Sequence, residues 1–333
     1  MYGTQMDFDW SALDTLRKTY LDGTAGSADY WNSDTLLSAY DATFARRIAW
    51  KWQWVFSELH RRGWQPPESL EILDFGCGTG VAVREALNHW GPAIASGITL
   101  KDRSVRALRF AEAALTREHP GVPIRRSSDS PPGMVLVSHV LTELDAIGES
   151  HLLNILRNAQ SAIIVEPGTS DASRRLIALR DHLRADFNVV APCTHRASCG
   201  MLTKANERHW CHFHASPPPE IFQDGDWMMF GKVMGIDLRA LPLSFLVLDR
   251  RPAPPVPKDV VRVTGNPRFY KGYALLPGCT EAGVHERRFS RRTDTRLFRD
   301  LEKGRVPSLQ HWSLDGTEIT AVTPVTNPDV TSA

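Results

Sequence analysis

The stretch LEILDFGCGTG, residues 70–80, limits the possible folds more than any other part of the chain. An apolar run breaks into three alternating glycines and is followed at once by VAVREALNHW, which has helical periodicity. A strand that ends near Asp74 and turns through Gly76, Gly78 and Gly80 brings the backbone close to a ligand, where a Cβ would collide. Strand-like runs recur at PAIASGITL, GMVLVSHV and SAIIVEPG, with helix-length segments between them. Strand alternating with helix predicts an α/β protein with a parallel, doubly wound sheet.

The flanking regions complete the expected organisation. Residues 1–69 read as an N-terminal helical region. Within it, Phe44, Ile48, Trp52, Val55 and Leu59 fall at helical spacing and Gly63 serves as a stop. Trp50 and Trp54 beside Arg46 and Arg47 read as a face packed against the next domain, with an RNA-facing edge as the alternative. The central domain spans residues 70–250 and ends on the strands FNVVAPC and LSFLVLDR, with a cysteine-rich insertion at about 193–230 between them. RPAPPVPKD, residues 251–259, reads as a linker. Beyond it, residues 251–305 are expected to form a small basic β unit, and the polar residues 306–333 a flexible tail.

Composition excludes little beyond extremes. With 42% hydrophobic and 23% charged residues the chain is neither fibrous nor wholly disordered. No apolar run approaches the roughly 20 residues needed to span a bilayer, so no membrane partner is expected. The N-terminus has no signal-peptide or transit-peptide pattern, which predicts a bacterial cytoplasmic protein. Net charge is only +1, yet between Arg287 and Arg305 eight basic residues face three acids. That excess suits a phosphate backbone, with Arg287, Arg288, Arg291 and Arg292 as the expected RNA contacts.

The spacing DFGCGTG differs from the GxGxxG of dinucleotide sites and resembles the first motif of class I S-adenosylmethionine-dependent methyltransferases. The resemblance implies S-adenosylmethionine over Asp74, Gly76, Gly78 and Gly80, with Asp102 at the end of the second strand holding the ribose hydroxyls. It also implies Asp129 on the adenine side and His139 after the fourth strand. SHVLTEL, residues 138–144, lacks the Pro-Pro-Tyr element that grips an exocyclic amine. No catalytic residue is therefore assigned. Glu143 reads as a cap or ion-pair member before it reads as a base.

Cys77 belongs to the glycine loop, which leaves Cys193, Cys199, Cys211 and Cys279, with five, eleven and sixty-seven residues between them. In a reducing compartment four such thiols suggest a metal site. Paired CxxC knuckles are missing, so the spacing suits an iron–sulfur cube better than zinc, which stays open as the alternative. His195, His209, His212 and His214 are further possible ligands.

IIVEPGTSDASRRLIALRDHL, APCTHRASCGML, HWCHF, LPLSFLVLDRR and GCTEAGVHERRFSRR occur in one order. Together they resemble the methyltransferase-like family associated with assembly of the mitochondrial small ribosomal subunit, and its bacterial relatives. That resemblance implies a [4Fe–4S] cluster on the four cysteines. It also implies a role in small-subunit maturation with ribosomal RNA as partner, either methylating it or acting without catalysis, in a protein monomeric off the ribosome. Thr194 and Ser198 stand where the family often has proline, and the thiols themselves are kept. With Cys279 beyond the proline stretch, a shared cluster would clip the basic unit onto the central domain and order its RNA-binding surface.

Overall fold

A computed structural model describes residues 9–21, 29, 31–128, 130–257 and 259–325. Asp129, the expected adenine-side residue, lies outside them. The chain divides into two compact units. The first takes residues 1–57, 66–166 and 214–243, and the second takes 58–65, 167–213 and 244–333.

Three helices open the chain: α1 (Trp10–Leu21), α2 (Asp34–Ala42) and α3 (Phe44–Arg61). Ser33 caps α2 by accepting from the Leu36 amide. The apolar stripe of α3 is buried as its spacing predicts, with Trp52, Val55 and Phe56 fully enclosed. Trp50 packs on Trp227 at 5.0 Å, inside the same compact unit and not against a following domain.

Strands and helices then alternate: β1 (Leu70–Phe75), α4 (Val81–Trp90), β2 (Ala95–Lys101), α5 (Val105–Glu118), β3 (Ile124–Arg125), β4 (Met134–Ser138), α6 (Ala146–Asn158), β5 (Ser161–Pro167), α7 (Ser170–Leu183) and β6 (Asn188–Ala191). After β7 (Phe213–Ala215) and α8 (Gly225–Met234) comes β8 (Leu241–Asp249). The strand order is β3-β2-β1-β4-β5-β8-β6. The pairings among β3, β2, β1, β4 and β5 are parallel, and β8 runs antiparallel to β6. A late antiparallel strand slotted between the fifth and sixth is the class I methyltransferase arrangement. β4 and β5 are apolar and buried throughout most of their length, as strands covered on both faces must be.

Two expectations about the C-terminal third are corrected. The proline stretch is not the boundary between the compact units, because β8 has already carried the chain into the second one by Ser244. Residues 306–325 are not a loose tail. They follow β9 (Val260–Val263), β10 (Arg268–Phe269), β11 (Tyr273–Thr280), β12 (Gly283–Ser290) and α9 (Thr295–Glu302), and they supply β13 (Leu309–Asp315) and β14 (Glu318–Pro324). Their buried residues are sparse: Leu309, Gln310 and Ile319 are enclosed, and Trp312 and Val322 pack on the core while only partly buried.

The sheet order is β10-β11-β12-β14-β13-β9, and β9 also pairs with β11, which closes a barrel of five strands. β12 and β14 pair in parallel, while the other barrel pairings are antiparallel. Counted within the barrel the order is 1-2-3-5-4-1, with a helix between strands 3 and 4, which is the oligonucleotide-binding (OB) topology. Its core holds Val263, Ala274, Leu276, Phe289, Phe298 and Ile319. Gly278 is required there, since a Cβ would lie 2.6 Å from the Trp312 ring.

Candidate functional site

In the first unit the glycine loop leaves β1 with all three glycines in the left-handed region, at φ of +67°, +53° and +76°. Each does a different job. A Cβ on Gly76 would come within 2.5 Å of Val140 Cγ2, and one on Gly80 within 3.2 Å of Ala111, whereas Gly78 faces open space. The loop is pinned from outside: the Gly76 and Cys77 amides donate to Lys101 O, and Arg84 ties α4 to Asp41 and Glu118.

Asp74 is fully buried and accepts from the Val83 amide at 3.3 Å, capping α4 from the strand, while its Oδ1 has no hydrogen-bond partner. Burial pushes its carboxyl up to about 7, with Asp102 adding and the Val83 amide opposing. Asp102, at the end of β2, accepts from the Gly78 amide at 2.8 Å and the Ser104 amide at 2.9 Å. Burial raises its pKa against those two bonds. The structure therefore places Asp102 beside the loop, bonded to the amide of the open glycine.

His139 follows β4 with φ of +57°, an uncommon conformation for a non-glycine residue, and its Nε2 lies 3.4 Å from Lys51 Nζ. Burial and the Lys51 charge hold the imidazole well below its ordinary pKa. Lys51 is itself buried on α3 and lowered to about 7 by burial, with Arg47 adding and Glu166 opposing. At the end of β5, Glu166 accepts from the Val140 and Leu141 amides at 2.9 and 3.1 Å and so fixes the turn that packs on Gly76. Its Oε2 is unpartnered, and burial pushes its pKa up to about 7. Glu143 pairs with Arg103 at 3.5 Å, the ion-pair role read for it. Lys51 and Glu166 escaped the sequence reading because each sits inside an apolar-looking element.

A cavity of about 380 Å³ lies elsewhere, against β1, β2 and α6, with Thr99, Arg126 and Asn154 in its wall. The loop edge, where backbone and charge converge, is the better candidate site.

The second unit contains all four remaining cysteines. Cys199, Cys211 and Cys279 pack on one apolar cluster of Ile177, Met201 and Val284. Cys193 lies close enough to Cys199, Cys211 and Cys279 to push their pKa values up, secondarily to burial, and Cys211 reaches about 12. The Thr264 hydroxyl donates to Cys211 Sγ at 3.2 Å, and Ser173 and Ser244 both donate to its carbonyl. His195 Nε2 lies 3.6 Å from Cys279 Sγ. His212 stacks on Trp210 and has its Nδ1 3.0 Å from Trp210 O, a structural position. Among the described residues no group of three or more His, Cys, Asp or Glu side chains stands in metal-holding geometry. A clip between separate domains is not what these thiols would make, because all four belong to one compact unit.

Two guanidiniums accompany the thiols. Arg180, 2% exposed, donates to His195 O and Ala197 O, and its Nε is unpartnered. Burial pulls its pKa down, but Cys193, Cys199 and Asp181 outweigh that and hold it above its ordinary value. Arg262, also 2% exposed, donates to Pro192 O, Glu58 and Ser308, and leaves Nη2 unpartnered. Soft thiols and two buried guanidiniums therefore share this region.

The expected RNA residues fare unevenly. Arg288 pairs with Glu318 and Arg291 with Glu302, both in partly exposed ion pairs. Arg292 is exposed and Arg287 half-buried.

Among solved structures, the plantazolicin methyltransferase BpumL with S-adenosylhomocysteine is similar at 12% identity, with 72% of this chain and 100% of that one covered and a TM-score of 0.40. Magnesium protoporphyrin IX methyltransferase from Synechocystis, bound to S-adenosylmethionine, shares 10% identity over 74% of this chain and all of that one, with a TM-score of 0.37. No curated protein sequence matches. The model of the family described as mitochondrial small ribosomal subunit Rsm22 matches residues 46–304, most of the chain and parts of both compact units, and the chain therefore belongs to the Rsm22 family.

Proposed function

We propose that this protein binds S-adenosylmethionine at the glycine loop, carries a [4Fe–4S] cluster on Cys193, Cys199, Cys211 and Cys279, and acts on small-subunit ribosomal RNA during maturation. The observation that carries the ribosomal part is the Rsm22 match across residues 46–304. The cofactor reading is supported by the open space over Gly78, with Asp102 bonded to its amide and two raised carboxyls nearby. Such an edge suits a cationic sulfonium better than a pyrophosphate. The cluster reading is supported by the four thiols gathered with Arg180 and Arg262. Bound there, the cluster would supply a covalent tie between the segment bearing Cys193, Cys199 and Cys211 and strand β11, which bears Cys279.

Iron and acid-labile sulfide analysis on protein purified without oxygen tests the cluster. About four of each per chain is the expected result, and one zinc without sulfide would remove it. Transfer of labelled methyl groups to immature small subunits tests the activity. One observation favours a second reading in which the cofactor is bound without methyl transfer. The turn after β4 offers Leu141, Thr142 and Glu143 and no element to grip an exocyclic amine, and Glu143 is engaged by Arg103.

A further inference from the structure

The β10–β11 hairpin carries an aromatic column that the barrel core does not use. Phe269 anchors it, edge-on to Phe298 at 5.8 Å. Tyr270 instead stacks on Tyr273 with centroids 4.6 Å apart and planes 14° from parallel. Arg288 lies over the Tyr273 ring at 4.5 Å, so that ring is in contact with both Tyr270 and Arg288. The column is thus Arg288, Tyr273, Tyr270, and its last ring is 43% exposed.

The hairpin holds this arrangement firmly. Arg268 and Phe269 pair with Leu275 and Ala274, the Tyr270 amide donates to Tyr273 O, and the Arg291 amide donates to Gly272 O. Position agrees with chemistry. In the OB topology the loop between strands 1 and 2 and the outer face of strands 2 and 3 form the oligomer-binding surface, and this hairpin is that loop. Lys271 at its tip is exposed, and so is Arg268 at its base, where it pairs with Glu286, whereas the turn between strands 4 and 5 is flanked by Asp315 and Glu318. A base can stack on any aromatic face, and phosphates need nearby cations.

We propose that Tyr270 and Tyr273, with Lys271 beside them, form a stacking platform for unpaired bases of RNA. This rests on the RNA reading above and narrows it to single-stranded segments. A duplex hides its bases and cannot extend the column.

The test uses the full chain, a fluorescently labelled twelve-residue oligouridylate, a duplex RNA of equal length and small-subunit ribosomal RNA. Tyr270 is the residue to change, since its exposed ring supports no core packing. Tyr270→Ala should weaken oligouridylate binding about tenfold and leave duplex binding unaltered, while Tyr270→Phe, which keeps the ring, should bind as the parent. If Tyr270→Ala matches the parent on the oligouridylate while the parent holds ribosomal RNA, the platform is wrong and the RNA reading stands. If Tyr270→Phe is as weak as Tyr270→Ala, the hydroxyl and not the stack is at work, which also overturns the platform. A parent that binds none of the three RNAs overturns the RNA reading and this proposal with it.

Discussion

Both compact units bury ionisable groups, and they differ in how those charges can be relieved. The loop edge of the first unit encloses Asp74 and Glu166, acids that burial has pushed up to about 7 and that become neutral by taking a proton. The thiol region of the second encloses Arg180 and Arg262, and a guanidinium has no such escape at any ordinary pH. Arg262 is met by Glu58, 3% exposed, which burial alone would push up but which Arg262 and Arg61 hold below its ordinary range. The first site is therefore tuned by protons and the second by fixed ion pairs. A cationic ligand suits the one and an anionic group the other.

The largest effect should come from the pair that cannot neutralise. Arg262→Leu takes from buried Glu58 one of the two guanidiniums that hold it, leaving Arg61, and should cost about 3–5 kcal/mol in urea unfolding. If the loss is under about 1 kcal/mol, water reaches Glu58 and the second unit is not the dry, fixed-charge region described above.

A smaller effect should appear in the pH dependence of the first unit. Folded Glu166 titrates near 7 rather than near 4.5, so between those values the folded state binds more protons than the unfolded one. Stability should fall as pH rises through that window, by up to about 3 kcal/mol for this group, and Asp74 acts in the same direction. Lys51, lowered to about 7 from 10.5, acts oppositely above neutrality, where the folded state binds fewer protons and stability recovers. The expected profile has a minimum near pH 7. Glu166→Gln should flatten its acid limb and Lys51→Met its alkaline limb, both read by denaturant melts across pH. A parent profile without the minimum would show that these groups are hydrated.

How much of this was legible in the sequence depends on whether the signal was local. The glycine loop, Asp102 and the alternating sheet could be read because a tight turn demands glycine and a buried strand demands a continuous apolar run. The barrel could not. Its closure depends on β9 pairing with both β11 and β13, contacts between segments far apart, and each strand carries only half an apolar pattern. The ion pairs of the arginine cluster were illegible for a related reason, since the carboxylates that engage Arg288 and Arg291 come from β14 and α9, away from them along the chain. Tyr270 and Tyr273 lie in plain view as RFYKGY, but nothing local says that their rings stack outward.

The smallest expected effect separates folding from binding within one loop. Gly76→Ala must both hold a left-handed φ, at about 1–2 kcal/mol, and push Val140 aside, so it should destabilise the first unit beyond that figure. Gly78→Ala bears only the conformational part, since nothing lies within 4 Å of its Cβ. Its methyl would nonetheless enter the space over the loop, where the proposed cofactor would lie. Calorimetric titration with S-adenosylhomocysteine should then show about tenfold weaker binding for Gly78→Ala, in a protein whose melting temperature has moved by only a few degrees. Unchanged affinity would mean that the cofactor does not rest on Gly78. The raised acids of the first unit would still follow from burial, but the contrast with the second unit would lose its functional half.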